Sequence, residues 1–204
     1  MPRVSKEQAD RNRKTIESAA AMLFREKGIN GVSVADLMSA AGLTHGGFYG
    51  HFSSKDELAA TACSLAFEQS VQRWAKRIES QPDDGTARAA LIDGYLSART
   101  LKDIGNACPA MTLAADVARE PADKPVRAAY AAGVTELIEI LASVASSADP
   151  AQRRQQALVQ ISTMVGAMSL ARAMQGDELA DDILAACRSA LLHDADPAAT
   201  QTFR

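Results

Sequence analysis

Helix-breaking residues are distributed unevenly along this chain. Six of its twelve glycines fall between Gly28 and Gly50, and no proline occurs between Pro2 and Pro82. About a fifth of the residues are alanine, which favours helix more than any other residue, and β-branched residues never gather into the runs that a sheet needs. The sequence therefore predicts an all-α protein with short elements in its first fifty residues and longer helices after them.

Length and cysteine content indicate a globular protein that needs no cross-links. A chain of 204 residues can bury a substantial core, and Cys63, Cys108 and Cys187 are odd in number and widely spaced. The N-terminus lacks the apolar stretch of a signal peptide, and the longest uncharged stretch, residues 155–171, is shorter than the roughly 20 apolar residues that span a bilayer. We expect a reduced, cytoplasmic protein without a transmembrane segment.

Charge differs between the two ends of the chain. The net charge of −3 on its own argues against a nucleic-acid partner. Residues 177–196 hold six acidic residues against Arg188, whereas residues 1–14 hold five basic residues against two acidic ones. The basic residues of this N-terminal arm are Arg3, Lys6, Arg11, Arg13 and Lys14. We therefore expect the two ends to have different partners.

Apolar spacing and turn signals predict about nine helices. Two of them begin with capping-box-like sequences, Ser33 to Asp36 and Ser54 to Glu57. The predicted helices cover roughly Lys6–Lys27, Val34–Ala41, His45–His51, Ser54–Glu79, Thr86–Thr100, Pro109–Arg119, Lys124–Val144, Ala151–Met174 and Glu178–Leu192.

The second and third predicted helices are short and are joined by a turn that contains Gly42. This arrangement is typical of a helix-turn-helix, whose second helix lies in the DNA major groove. Three glycines in that helix each cost about 1 kcal/mol relative to alanine, so packing of Phe48 and Phe52 must hold it in place. The outward face then carries little side chain and suits close approach to base edges. Its residues are Thr44, His45, Gly46, Gly47 and Tyr49.

The segment LTHGGFYGHFSSKDEL at residues 43–58 resembles the signature of the TetR family of bacterial transcriptional regulators, and the likeness extends over about Ala9 to Leu58. This resemblance implies a three-helix DNA-binding domain joined through the fourth helix to a larger helical domain that dimerises and usually binds a small ligand. On that basis we assign residues 1–53 to the helix-turn-helix domain, residues 54–194 to the ligand-binding and dimerisation domain, and residues 195–204 to a tail.

The resemblance also implies a set of DNA contacts. Base-edge contacts are expected from Thr44, His45 and Gly47, and phosphate contacts from Ser33, Tyr49, His51 and Lys55. Other roles remain open: Tyr49 as a half-exposed core aromatic, His51 in local hydrogen bonding, and Lys55 on a solvated face. The basic arm is either a tail or a segment that reaches into the minor groove.

The helix predicted at Ala151–Met174 is apolar or small on nearly all sides, so it needs cover on two of them. One side can meet its own domain and the other a second copy, with Gly166 and Ala167 allowing close approach. Together with the last helix, it would form a four-helix interface about a twofold axis. We expect a homodimer held by the last two long helices.

Large or adaptable side chains of the second domain are candidates for an apolar effector cavity, although each could equally belong to an ordinary core. Cys108 precedes a predicted helix start, where a thiolate is favoured, and it is either a redox or electrophile sensor or a buried inert cysteine. The candidate ligand residues are Trp74, Tyr95, Cys108, Met111, Met164 and Met168.

These features predict a sequence-specific DNA-binding transcriptional regulator with a palindromic duplex operator. We expect a repressor that an apolar or amphipathic small molecule, or a thiol-reactive inducer, releases from DNA. No nucleophile with a base, paired acids or metal-ligand spacing emerges, so we expect no enzyme activity, cofactor or metal. The alternative on the same fold is a ligand-independent DNA-organising or scaffold protein.

Overall fold

The computed structural model describes residues 5–193, which form ten α-helices and two 3₁₀ helices with no strand among them. The predicted all-α fold is confirmed. The α-helices are α1 (Lys6–Lys27), α2 (Val34–Ala40), α3 (Lys55–Glu79), α4 (Asp84–Tyr95), α5 (Ala98–Lys102), α6 (Pro109–Thr112), α7 (Ala114–Arg119), α8 (Pro125–Ser143), α9 (Pro150–Ala173) and α10 (Glu178–His193), and the 3₁₀ helices are η1 (His45–Gly50) and η2 (Ile104–Asn106).

Two of the predicted helices are divided. The helix expected over Thr86–Thr100 ends at Tyr95, because Ser97 starts a new helix by accepting a hydrogen bond from the Thr100 amide at 3.2 Å. The helix expected over Pro109–Arg119 breaks at Leu113 into α6 and α7. These two breaks and η2 raise the number of described helices above the expected nine.

Helix α1 ends at Gly28, as predicted. Gly28 has φ of 78°, a conformation that glycine adopts without steric cost, and its amide donates to the Phe24 carbonyl. A Cβ at this position would lie 2.7 Å from the Asp116 carboxylate. The same carboxylate accepts the Ile29 amide at 3.2 Å, so Asp116 caps the turn that follows α1.

The described chain packs as two compact units. The first holds the residues up to Ser70 together with Ile104–Val134, and the second holds Val71–Asp103 together with the described residues from Thr135 onward. Helices α3 and α8 each cross from one unit to the other. The boundary predicted between residues 53 and 54 separates two functional parts of the chain, whereas these units are defined by packing, so that boundary stays a prediction. The predicted tail at 195–204 lies outside the described residues.

In the apolar core of the second unit, a buried arginine forms hydrogen bonds to two neighbouring helices. Arg88 in α4 donates to the Gln160 side chain of α9 at 3.2 Å and to the Leu191 carbonyl of α10 at 2.8 Å. The guanidinium thereby satisfies a carbonyl in the last turn of α10, which has no partner within its own helix. None of the helices described here is long and apolar enough to cross a membrane.

Candidate nucleic-acid interface

The turn between α2 and η1 is built around Gly42. Its φ is 69°, and the next amide, that of Leu43, donates to the Met38 carbonyl at 2.8 Å. The chain then enters η1 through Thr44, whose backbone is extended and whose side chain makes no capping hydrogen bond. The predicted turn is present, and the short helix after it is 3₁₀ rather than α-helical.

Two phenylalanines hold η1 from beneath. Phe48 and Phe52 are 0% and 2% exposed, and their ring centroids lie 5.8 Å apart. Because a buried aromatic side chain removes a large apolar area from water, this pair stabilises a helix that its glycines would otherwise weaken. The predicted core role of both residues is confirmed.

The outer face of η1 carries little side chain. Thr44, His45 and Gly46 are exposed, and Tyr49 is 71% exposed, with its ring perpendicular to that of Phe48 at a centroid distance of 5.2 Å. Within the described residues, no atom beyond the local backbone lies within 4 Å of the place where a Cβ at Gly46 would stand. A flat, open surface with a protruding tyrosine results.

Ser33 begins α2 in the predicted capping box. Its hydroxyl donates to the Asp36 carboxylate at 2.6 Å and accepts the Asp36 amide at 3.1 Å. The Ser33 hydroxyl and the Ser33 amide, which also donates to this carboxylate at 2.9 Å, hold the pKa of Asp36 below its usual range. A phosphate contact from the Ser33 hydroxyl would therefore have to displace an existing bond to a carboxylate.

Lys55 is the first residue of α3 and is half-buried. The two carboxylates in the same turn pair elsewhere: Asp56 with Lys124, and Glu57 with Arg13. A cation at a helix N-terminus is unfavourable to the helix dipole, so an external anion would stabilise Lys55 at this position. His51 is also half-buried, directly after η1.

The family model described as "Bacterial regulatory proteins, tetR family" matches residues 16–62, the stretch from the middle of α1 through η1 to the start of α3. This stretch therefore matches the DNA-binding region of TetR-family regulators. The match covers the helix-turn-helix geometry described above, and the expectation from residues 43–58 is thus confirmed.

Curated relatives agree over part of the chain. It is 28% identical over 107 residues to YfiR, an uncharacterized HTH-type transcriptional regulator of Bacillus subtilis, which is 52% of this chain and 50% of YfiR. It is 36% identical over 66 residues to the HTH-type transcriptional regulator AcrR of Shigella flexneri, which is 32% of this chain and 31% of AcrR. The chain spans half or less of the length of these relatives.

Solved structures agree over nearly the whole fold. A TetR transcriptional regulator of Chloroflexus aurantiacus superposes with a TM-score of 0.75 at 25% identity and covers 92% of this chain and 95% of its own. The regulator FadR of Bacillus subtilis, solved with stearoyl-CoA, has a TM-score of 0.64 at 16% identity over 89% of this chain and 96% of its own. At that identity, the likeness to FadR shows the fold alone.

The basic arm is helical in its described part. Helix α1 begins at Lys6 with Ser5 as its cap, and Arg3 lies outside the described residues. Arg11 pairs loosely with Glu7 at 3.7 Å. Arg13 is held by Glu17 and Glu57, a role that local charge could not reveal because Glu57 lies 44 residues further along the chain.

The six candidate ligand residues are all buried, and they divide between the two packing units. Cys108 and Met111 belong to the first unit. In the second, the Trp74 and Tyr95 rings meet edge to face with centroids 6.1 Å apart, and Met164 and Met168 lie on the buried side of α9. Burial is what the sequence predicted, but a cavity among these residues stays a prediction.

Two further sequence expectations bear on ligands. Helix α6, which follows Cys108, has only four residues, and the Cys108 side chain does not cap it. The long helix that was expected to favour a thiolate there is therefore absent. Among residues 5–193, no group of three or more His, Cys, Asp or Glu side chains is arranged to hold a metal ion.

Proposed function

We propose that this chain is a sequence-specific DNA-binding transcriptional regulator of the TetR family that acts as a homodimer. The observation that carries the proposal is the open face of η1, glycine-rich and fixed on buried Phe48 and Phe52. A surface with so little side chain can approach the floor of the major groove closely. In this proposal Thr44, His45 and Gly47 read base edges.

Phosphate contacts position this face on the duplex. Tyr49 and Lys55 are the best supported of the proposed contacts, since the tyrosine protrudes and the lysine lies beside carboxylates that pair with other cations. His51 is half-buried and directly follows η1, and we propose that its ring contributes a further phosphate contact. For Ser33 the proposal requires that its hydroxyl turns from Asp36 to the phosphate.

An apolar stripe on the second unit supports the homodimer. Leu158, Val159 and Leu170 of α9 are 40%, 52% and 56% exposed, and Leu179 of α10 is 46% exposed. These side chains share the outward face of α9 and α10, and Gly166 lies among them with open space where a Cβ would stand. Large apolar side chains that stay exposed on two helices favour an interaction surface, and a twofold pairing of α9 and α10 would bury them.

The dimer also suits DNA recognition. In such a dimer each helix-turn-helix, formed by α2, the Gly42 turn and η1, is called here a reading head. Two reading heads related by a twofold axis meet successive major grooves when they lie about 34–36 Å apart. Such a dimer selects a palindromic operator. A repressor occupies this operator until an effector changes the spacing or orientation of the heads.

We propose an apolar or amphipathic small-molecule effector. Support comes from the aromatic and methionine side chains inside the second unit and from the stearoyl-CoA bound by FadR, whose fold is similar. Helix α3 runs without a break from Lys55 to Glu79 and so connects the reading head to the second unit. A coupling free energy of about 1–3 kcal/mol would change operator affinity by about 5- to 150-fold.

A thiol-reactive inducer is the second route for release. Burial raises the pKa of the Cys63 thiol to about 12, so this cysteine stays protonated and unreactive at neutral pH. Cys187 is half-buried and Cys108 is buried; Cys108, which precedes α6, is the candidate proposed for this route, and Cys108→Ser is its test, with Cys187→Ser as the control. If peroxide releases the parent protein from DNA but not the Cys108→Ser variant, Cys108 is the sensor.

Selection of binding sites from a random pool of duplexes tests the DNA-binding proposal. We expect a palindromic consensus that binds at least about 10³-fold more tightly than scrambled duplex. A ligand-independent DNA organiser would instead enrich no consensus. Titration of the selected complex with stearoyl-CoA and with uncharged decanol then tests the effector class, and linkage requires operator DNA to weaken effector binding by the same factor.

A further inference from the structure

We propose that Arg13 is a positioning residue that fixes η1 and the start of α3 onto α1, and that it does not itself contact DNA. This inference rests on the proposed DNA-binding function. In the sequence, Arg13 counts as one of five cations in a basic arm. In the structure, its side chain joins three separate elements.

The Arg13 guanidinium is engaged on each of its nitrogens. Nε donates to the Glu17 carboxylate of α1 at 3.0 Å, and one terminal nitrogen donates to the Glu57 carboxylate of α3 at 3.2 Å. The other terminal nitrogen donates to the main-chain carbonyl of His51, the residue that ends η1. Arginine suits this role because its planar fork presents several donors in fixed directions.

The face of the guanidinium also packs on an anchor of η1. The central carbon of Arg13 lies 4.2 Å from the centroid of the Phe52 ring, within the range of a cation–π contact. One side chain therefore binds the carbonyl of the residue that caps η1 and packs on the second of the two aromatic anchors.

Glu57 extends the network to the connection between η1 and α3. Its second carboxylate oxygen accepts the Ser53 amide at 2.8 Å and the Ser53 hydroxyl at 2.7 Å. The hydrogen bonds from Ser53 and the neighbouring Arg13 lower the pKa of Glu57. Residues 51–57 are thereby held at both ends, and this segment carries two proposed phosphate contacts, His51 and Lys55.

Charge balance argues against a phosphate contact by Arg13 itself. Its single positive charge faces two carboxylates, those of Glu17 and Glu57. To reach a phosphate, the side chain would have to leave both carboxylates and the Phe52 ring. Lys14, the next residue, is exposed and offers a matched cation outside the network.

Four variants separate a positioning role from a direct contact: Arg13→Ala, Arg13→Lys, Glu57→Gln and, as control, Lys14→Ala. Each is titrated against the operator that the parent protein selects and against scrambled duplex, over a range of salt concentrations. A positioning role predicts that Arg13→Ala, Arg13→Lys and Glu57→Gln each lose about tenfold or more in operator affinity and lose less in affinity for scrambled duplex, so that the specificity ratio falls in all three. Lys14→Ala keeps the specificity ratio.

A direct phosphate contact predicts a different pattern. Arg13→Ala would then weaken both duplexes equally and lower the salt slope by about one unit, and Arg13→Lys would retain most of the affinity. Glu57→Gln would tighten binding, because it removes a negative charge close to DNA. Any of these results overturns the proposal.

Amide hydrogen exchange tests the same inference without DNA. The His51 and Phe52 amides donate to the Phe48 carbonyl at 2.9 and 3.0 Å. We expect these amides to exchange at least about tenfold faster in Arg13→Lys and Glu57→Gln, with α9 and α10 unchanged. Unchanged exchange at both amides contradicts the positioning role, even if the parent protein selects no operator. If the parent protein selects no operator, that result counts against the proposed DNA-binding function and not against the positioning role of Arg13.

Discussion

The open face of η1 and the outward face of α9 are both exposed surfaces shaped for a partner, yet they are supported in opposite ways. Each contains a glycine, Gly46 or Gly166, with open space where a Cβ would stand. Helix η1 has six residues and depends on buried anchors. Helix α9 has 24 residues and keeps its own backbone hydrogen bonds.

Because of this difference, substitutions at different depths should impair the two surfaces. Short helices are marginal without tertiary support, so the open face of η1 should fail when residues beneath it change. The outward face of α9 should fail only when its own exposed side chains change. Six substitutions and one control test this contrast in order of decreasing effect.

Phe48→Ala should have the largest effect. Removing a fully buried phenylalanine costs about 3–5 kcal/mol, and here the loss falls on the support of η1. We expect operator binding to disappear while the dimer persists, as measured by gel shift and by analytical ultracentrifugation. Loss of the dimer in Phe48→Ala would show that the two regions are not independent.

Leu170→Asp should disrupt the outward face of α9 and so dissociate the dimer. Burying an unpaired charge in an interface costs about 3 kcal/mol or more, which corresponds to a dimer dissociation constant raised by at least about 100-fold. Ultracentrifugation should show monomers, whereas the same charge placed at exposed Ala128 of α8 should leave the dimer intact. A dimeric Leu170→Asp would place the interface elsewhere.

Lys55→Ala should have a moderate effect that is confined to DNA. Loss of one phosphate contact lowers the slope of log affinity against log salt by about one unit and weakens all sequences alike. His45→Ala should instead change which bases are preferred. Filter-binding titrations on the operator and its point variants measure both effects, and an unchanged salt slope in Lys55→Ala removes this residue from the interface.

Gly46→Ala and Gly166→Ala should have the smallest effects on stability and the clearest contrast in function. Neither glycine has positive φ, so alanine should stabilise the free protein by about 0.4–1 kcal/mol in thermal denaturation. We expect Gly46→Ala to weaken operator binding with the dimer unchanged, and Gly166→Ala to weaken the dimer. If both variants gained stability without weakening operator binding or the dimer, neither glycine would be needed for contact with a partner.

Much of the reading head could be predicted because its signals are local. The Ser33 capping box, the Gly28 helix end and the burial of Phe48 all depend on residues a few positions apart. The break at Ser97 was missed, since a single serine inside an apolar pattern is also compatible with a continuous helix.

Features that depend on distant residues could not be predicted. Arg13 looks like part of a basic arm until the fold brings Glu57 beside it. Burial was expected for four large side chains of the second unit and is observed for Trp74, Tyr95, Met164 and Met168. An apolar pattern reports burial, however, and does not distinguish a packed core from a cavity that closes around a ligand.

Footprinting on the DNA upstream of the gene for this protein tests the central claim most directly. We expect one protected palindrome whose two half-sites are centred about one helical turn, or a multiple of it, apart. Protection should be lost in Phe48→Ala and in Leu170→Asp, because one variant removes the reading face and the other separates the two heads. Uniform protection without a boundary, or a single half-site bound equally well by the monomeric variant, would contradict this claim.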